Sequence, residues 1–351
     1  MTVPRRILVV QTAFPGDVVL VLPLCQILRE RLPGTAITAV TIPAAEGLLA
    51  GHPAIDRVIV YDKRGADAGI RGLMRTAARI RAAGVDAALI PHRSLRSALL
   101  CRLAGIPVRI GFDRSAGRSL LTHTVPYVPT DHETERNCAL AAPFGVAPRD
   151  PVLPRLYPSA ADRLAVDAFM RLSFGEVPAS RAHAFIAVAP GSVWNTKRWP
   201  EAGFVSLVRS LLADRWRVVL VGGPGDRSLC ARIRAAAADP GLADASGRLS
   251  LLESAELISR CAAIVSNDSA PMHLAVATGT PVLAIVGPTL PSFGFAPLGP
   301  RDRVVETTGL ACRPCSIHGG TTCPTGTFDC MNRISAARVR DELRPLARTE
   351  A

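Results

Sequence analysis

Asp17 follows Phe14-Pro15-Gly16 and precedes a long apolar run. Gly16 lets the backbone turn sharply, and a carboxylate that opens a helix just past a strand is placed to take a proton from a hydroxyl as a general base. A helix-capping aspartate without chemistry fits the same letters. A second stretch runs from Gly191 to Pro200, GSVWNTKRWP. Ser192, Asn195 and Thr196 offer side-chain and backbone donors there, and Lys197 adds a point charge suited to a diphosphate. The plainer reading is a polar surface loop. Lys197 is informative because Lys63 and Lys197 are the only lysines among 41 Lys+Arg. A chain that defaults to arginine departs from its default inside this stretch.

The third stretch, Ser266 to Gly287, reads strand, tight turn, helix, tight turn, strand. Asn267, Asp268 and Ser269 are capping types, Pro271 suits a first helical turn, and Gly279 is placed to end the helix. A helix that starts just beyond a strand's carboxyl end offers free N–H groups and partial positive charge to an anion. His273 lies on the first turn of that helix. An ordinary βαβ unit with a capping Asp268 and a buried structural His273 is the alternative. Asp226 ends a glycine-rich turn, Val221-Gly-Gly-Pro-Gly-Asp226, where an acid can accept from ribose hydroxyls or merely cap. Neither G-x-G-x-x-G nor G-x-x-x-x-G-K-[ST] is present, which argues against standard dinucleotide and P-loop sites.

Arg93, Arg96 and Arg109, with the cluster His132, Glu133 and Arg136, are candidates for holding an anionic ligand, or else solvated charges. Cys312-x2-Cys315-x7-Cys323-x6-Cys330 gathers four of nine cysteines. The spacing fits a tetrathiolate zinc site, with packed free thiols as the default. Cys25, Cys101, Cys138, Cys230 and Cys261 read as scattered core residues.

These stretches must be held by the elements around them. Apolar runs such as Arg5 to Val10, Ala36 to Val40, Val85 to Ile90 and Val108 to Gly111 alternate with helical periods at 17–31, 70–83 and 95–104. The alternation restarts at Ala161 and runs through strands near 184–189, 217–222, 242–245, 261–265 and 282–286. Strands alternating with helices predict mostly parallel sheets. The segment 112–158 reads as loops with one short helix near 133–140. The domains are expected at 1–155 and 156–334, with a final helix in 335–351. The fold class is α/β, two doubly wound, Rossmann-like domains facing a central cleft. Ligands are expected beyond the strands' carboxyl ends.

A length of 351 residues fits two such domains, and 48% apolar residues exclude disorder. No uninterrupted apolar run reaches membrane-spanning length, and Met1-Thr-Val-Pro-Arg-Arg has no signal-peptide character, so a cytoplasmic location is expected. The net charge of +12 suggests an anionic partner. With 5% aromatics and no stacking module, nucleic acid is the weakest such partner.

Three stretches together carry a resemblance. NDSAPMHLAVATGTPVLAIVGPT resembles the nucleotide-sugar signature of glycosyltransferase family 9, the ADP-heptose:lipopolysaccharide heptosyltransferases. ILVVQTAFPGDVVLVLP is similar to that family's N-terminal strand, Gly-Asp turn and helix, and APGSVWNTKRWP to its donor-phosphate loop. The Cys-rich tail resembles the heptosyltransferase II branch. Phe14-Pro15 departs from the family's commoner Leu before Gly-Asp. The resemblance implies the GT-B architecture, with the final helix packing back on the N-terminal domain. It implies inverting transfer of heptose from ADP-L-glycero-D-manno-heptose to the lipopolysaccharide inner core. Asp17 would be the base. Lys197, Thr196, Ser192, Asp226, Asp268, Ser269 and His273 would bind the donor, and Arg93, Arg96 and Arg136 the acceptor. No D-x-D occurs, so no catalytic metal or other cofactor is expected. A lipid-anchored acceptor implies an enzyme peripheral on the anionic inner face of the inner membrane. A nucleotide-sugar 2-epimerase or another sugar transferase of the same architecture, or a non-catalytic sugar-nucleotide-binding protein, are the rival readings.

Overall fold

The computed structural model describes residues 1–146, 151–176 and 185–347. The chain divides into two compact units, Met1–Tyr157 and Pro158–Ala351. The expected boundary at 155/156 lies two residues from that division.

In the first unit, β1 (Arg6–Val10) leads into α1 (Pro15–Arg31), then β2 (Ala36–Thr41), α2 (Glu46–Leu49), β3 (Arg57–Val60), α3 (Gly69–Ala82), β4 (Ala87–Ile90), α4 (Leu95–Leu103), β5 (Val108–Phe112), β6 (His123–Val125) and α5 (Glu133–Ala139). The sheet order is β3-β2-β1-β4-β5-β6, and every pairing is parallel. β1 and β4 are apolar on both faces, as strands covered by helices on either side must be. Chain order reverses direction between β1 and β4, so the ends of these two strands flank the switch point where open α/β sheets take ligands.

The second unit repeats the plan. α6 (Ala160–Phe174) precedes β7 (Phe185–Ala189), α7 (Glu201–Ala213), β8 (Arg217–Leu220), α8 (Arg227–Ala237), β9 (Leu242–Asp244), α9 (Leu251–Ser259), β10 (Ala263–Asn267), α10 (Ala270–Thr278), β11 (Val282–Val286), β12 (Arg303–Glu306), α11 (Asp329–Asn332) and α12 (Ala336–Ala347). Its sheet order is β12-β11-β10-β7-β8-β9, again parallel, with the switch point between β7 and β10.

Three features differ from the sequence expectations. β6 and β12 lie in stretches without a strand assignment; each is an edge strand of three or four residues, too short for periodicity to mark. α1 begins at Pro15 rather than Asp17, with proline in its first turn. The last helix was expected on the N-terminal domain. Its apolar face, Val339, Leu343, Leu346 and Ala347, instead belongs to the core of the second unit, where α12 packs on α7, β10 and β11. That amphipathic face finds its apolar partner on the sheet immediately preceding it in sequence.

Candidate active site

At the second switch point, Asn267 ends β10 fully buried. Its Nδ2 donates to the Pro190 carbonyl (2.8 Å) and its Oδ1 accepts from the Trp199 amide (3.0 Å). One side chain thereby pins both ends of the loop that follows β7. Trp199 is itself held by its indole N–H donating to the Ile334 carbonyl (3.0 Å). Inside the loop, Asn195–Lys197 forms a single 3-10 turn.

That turn brings the Lys197 ammonium to 2.6 Å from Asp268 Oδ2, and the Thr289 hydroxyl donates to the same oxygen at 3.0 Å. Lys197 and Asp268 are nearly buried, with side-chain exposures of 12% and 13%. Asp268 is therefore an ion-pair partner of Lys197 and not the cap of α10. The N-cap of α10 is Ser269, and its hydroxyl points back to the Asn267 carbonyl (3.3 Å) instead of to the helix amides. His273 is buried one turn into α10. Asp226 caps its own turn by accepting from the Gly223 amide (2.9 Å). The same carboxylate lies against Gly191, where a Cβ would sit 2.1 Å from Asp226 Oδ1. Gly191 is thus the residue type that lets Asp226 reach the loop after β7. Ser192 is buried, and its carbonyl accepts from Arg198 Nε (2.8 Å).

Six of the seven expected donor residues thus lie on the turns following β7, β8 and β10, and His273 lies in the helix that follows β10. Thr196 faces differently from the expectation. Its amide and hydroxyl both bond the Gly320 carbonyl (3.0 Å each), and its hydroxyl also accepts from the Gly320 amide (2.8 Å). Thr289 and the Gly319-Gly320 turn were missed by sequence reasoning. Thr289 does close the signature stretch, but nothing local ties the glycine turn to Thr196.

In the first unit, Asp17 is the third residue of α1, and its Oδ2 accepts from the Phe14 amide (3.0 Å). The capping geometry and a chemical role are therefore both open to this side chain. Near the same strand ends lies a group that sequence reasoning did not single out. His92 Nδ1 is 3.1 Å from the Thr12 hydroxyl and 3.2 Å from the Ser97 hydroxyl, and Lys63 Nζ donates to the Thr12 carbonyl (2.5 Å). Burial, reinforced by Lys63 and Arg93, pushes the His92 imidazole down to about 4, so it is neutral at physiological pH. Burial likewise lowers Lys63, with Arg64 and Arg96 adding to the effect. Lys63 carried the same signal as Lys197, a lysine in an arginine-rich chain at a strand's end.

Of the acceptor candidates, Arg96 is exposed in the first turn of α4, and Arg93 is half-buried over the Tyr127 ring at 4.1 Å. Arg136 does not fit a solvent-facing anion ligand. Its side chain is 2% exposed, 2.9 Å from Glu133 and 4.7 Å from the Tyr127 centroid. Arg109 ties the loop after β5, donating through Nε to the Leu120 carbonyl (2.7 Å). His132 caps α5 by accepting from the Thr134 amide (3.2 Å). Burial raises the Glu133 carboxyl to about 7, with the Asp17 charge adding to the rise and Arg136 opposing it.

The cysteines of the tail are free, and among the described residues no three His, Cys, Asp or Glu side chains are grouped to hold a metal ion.

Two doubly wound units, the second with an ammonium, a carboxylate and a helix N-terminus at its switch point, are the parts of the GT-B architecture. The chain is similar to a crystallised glycosyl transferase family 9 protein from Veillonella parvula, with a TM-score of 0.85 over 98% of this chain and 97% of that one at 24% identity. It is also similar to ADP-heptose lps heptosyltransferase II of E. coli, at a TM-score of 0.78 and 26% identity over 97% of this chain and 98% of that one. Residues 73–322 match the model of glycosyltransferase family 9 (heptosyltransferase), and the chain belongs to that family. Among curated relatives, lipopolysaccharide heptosyltransferase 2 of Salmonella typhimurium is 29% identical over 98% of this chain and 99% of its own length.

Proposed function

We propose that this glycosyltransferase moves heptose, with inversion, from ADP-L-glycero-D-manno-heptose to the lipopolysaccharide inner core. The observation that carries the reading is the Lys197–Asp268 pair at the second switch point, directly before the N-terminus of α10. The ammonium and the helix N-terminus supply positive charge for a departing diphosphate without a metal. Asp268 holds the lysine in place until the donor arrives. Ser192 and Ser269 lie on the same turns, His273 lies in the first turns of α10, Thr196 shapes the loop, and Asp226 is available to a ribose hydroxyl.

On the first unit, Asp17 takes the proton from the acceptor hydroxyl. The oxygen then forms its bond to the anomeric carbon as the bond to ADP breaks, which inverts that carbon. Arg93 and Arg96 suit the phosphates and carboxylates of the acceptor. Lys63 adds a third cation near them. No helix among the described residues is long and apolar enough to cross a membrane. We place the enzyme in the cytoplasm, peripheral on the anionic inner face of the inner membrane.

The test is incubation with ADP-heptose, with and without a deacylated inner-core oligosaccharide. Release of ADP that requires the oligosaccharide, with a mass gain of one heptose on it, is the expected result. Conversion of the donor without acceptor points to an epimerase, and binding of ADP without turnover points to a non-catalytic protein.

A further inference from the structure

The segment that follows β12 does not simply hang from the second unit. Arg313 donates through its guanidinium to the Thr289 carbonyl (2.7 Å from Nη2) and to the Thr307 carbonyl (2.8 Å), and it pairs with Glu306. The Cys315 amide donates to the Pro288 carbonyl (3.0 Å). The segment is thus fastened to the residues just past β11, beside Asp268's partner Thr289. It then reaches the loop after β7. Thr196 and Gly320 exchange hydrogen bonds in both directions, and Asn195 Nδ2 donates to the Thr321 carbonyl (3.2 Å). Gly319, at φ +85°, lies between these anchors. A Cβ there would stand 3.1 Å from Lys197 Cγ, 3.2 Å from Thr196 Oγ1 and 3.2 Å from Trp194 Cβ. A backbone that close leaves the lysine stem little freedom on that side.

We propose that residues 313–321 form a strap that sets the position of the Lys197 ammonium, with Thr196 and Gly319 as positioning residues for donor binding. The inference rests on the reading of Lys197 as the donor-diphosphate ligand. A lysine on a single 3-10 turn has four rotatable stem bonds, and little in that turn itself fixes them. Asp268 holds the ammonium, and the strap constrains the turn and the stem from two further sides. The Thr196–Gly320 bonds hold the backbone of the turn, and Gly319 packs on the stem. Glycine suits both demands at position 319, because a side chain is strained at that φ and its Cβ would crowd the stem at 3.1 Å from Lys197 Cγ.

ADP binding by calorimetry tests this on Gly319→Ala, Thr196→Val, Thr196→Ser and Lys197→Met, with Gly319→Ala repeated on the Lys197→Met background. Thermal unfolding is recorded for each to confirm a folded protein. Gly319→Ala and Thr196→Val should each weaken ADP by about tenfold, the weight of one hydrogen bond to a charged group. Donor KM should rise while acceptor KM stays put. Thr196→Ser, which keeps the hydroxyl, should bind within about threefold of the parent. On the Lys197→Met background Gly319→Ala should cost almost nothing, because a residue acting through Lys197 loses its effect when the ammonium is gone. Weakened binding in Lys197→Met beside unchanged binding in Gly319→Ala and Thr196→Val overturns the strap alone. So does an equal loss from Gly319→Ala on both backgrounds. Lys197→Met that binds ADP like the parent overturns the donor reading itself, and the strap inference with it.

Discussion

Lys197 and Asp268 are 71 positions apart, yet the ammonium sits 2.6 Å from the carboxylate where β7 and β10 end. The pair closes a circuit that begins at Asn267, which holds the loop carrying Lys197 from the residue next to Asp268. An ion pair this little exposed loses much when one partner changes shape. Lys197→Arg puts a wider, planar group where Gly319 already crowds the stem. The variant should raise donor KM by about tenfold and lower kcat, measured by ADP release. Unchanged constants would return Lys197 to an ordinary loop lysine.

Asp17→Asn separates the two roles of that side chain. An asparagine oxygen can still accept from the Phe14 amide, so the start of α1 and the melting temperature should hold. The carboxylate's proton affinity is lost, so turnover should fall by about 10² or more with ADP binding intact. A fully active Asp17→Asn enzyme would leave Asp17 as a cap only.

Glu133 gives a stability signature with a defined sign. Its carboxyl is raised from 4.5 to about 7 in the folded protein, chiefly by burial. Between those values the folded state binds more protons at Glu133 than the unfolded one, so this group's contribution to stability is fully present below about 4.5 and is lost as pH rises through about 7. The loss is on the order of 3 kcal/mol for this group alone. Glu133→Gln cannot titrate, so melting temperature followed from pH 4.5 to 7 should decline less in the variant than in the parent. Parallel curves would show that Glu133 is not the group that titrates.

The tail thiols should differ in reactivity. The Thr325 hydroxyl, 3.4 Å away, and nearby backbone amides pull the Cys323 thiol down to about 7. Burial pushes Cys25, Cys101, Cys138, Cys230 and Cys261 up to about 12. Iodoacetamide at neutral pH should therefore label Cys323 first and spare those five in the folded protein, as read by peptide mass spectrometry. Equal labelling of buried and tail cysteines would contradict the burial described above.

Residues 1–150 hold 19 Lys+Arg against 12 Asp+Glu. Each basic residue near an anionic surface contributes up to about 1 kcal/mol, decaying within a Debye length. Sedimentation with anionic vesicles should pull the protein down at low salt and release it at about 0.5 M salt, with neutral vesicles inert. Failure to bind anionic vesicles at low salt would make the charge a compositional bias.

Much of this was legible in the letters. Asp17, Ser269, Pro271 and Gly279 mark helix ends by local backbone chemistry, which is what a sequence states directly, whereas Gly16 lies inside α1 rather than in the sharp turn expected of it and Asn267 ends β10. The alternation of apolar runs with helical periods likewise implied two parallel sheets. What the letters did not carry was the pairing of distant segments. Strand order decides which turns meet, so the Lys197–Asp268 bond and the 124-residue link from Thr196 to Gly320 exist only once β7 and β10 are neighbours. Burial is decided the same way. Arg136 reads as a ligand for an anionic acceptor in sequence, but with α5 packed on α1 it is enclosed with Glu133 and Tyr127. The apolar stripe of α12 names no partner until the second sheet offers one. A residue's type fixes what chemistry it can do, and the tertiary contacts fix which charge it faces and how much water remains to weaken that contact.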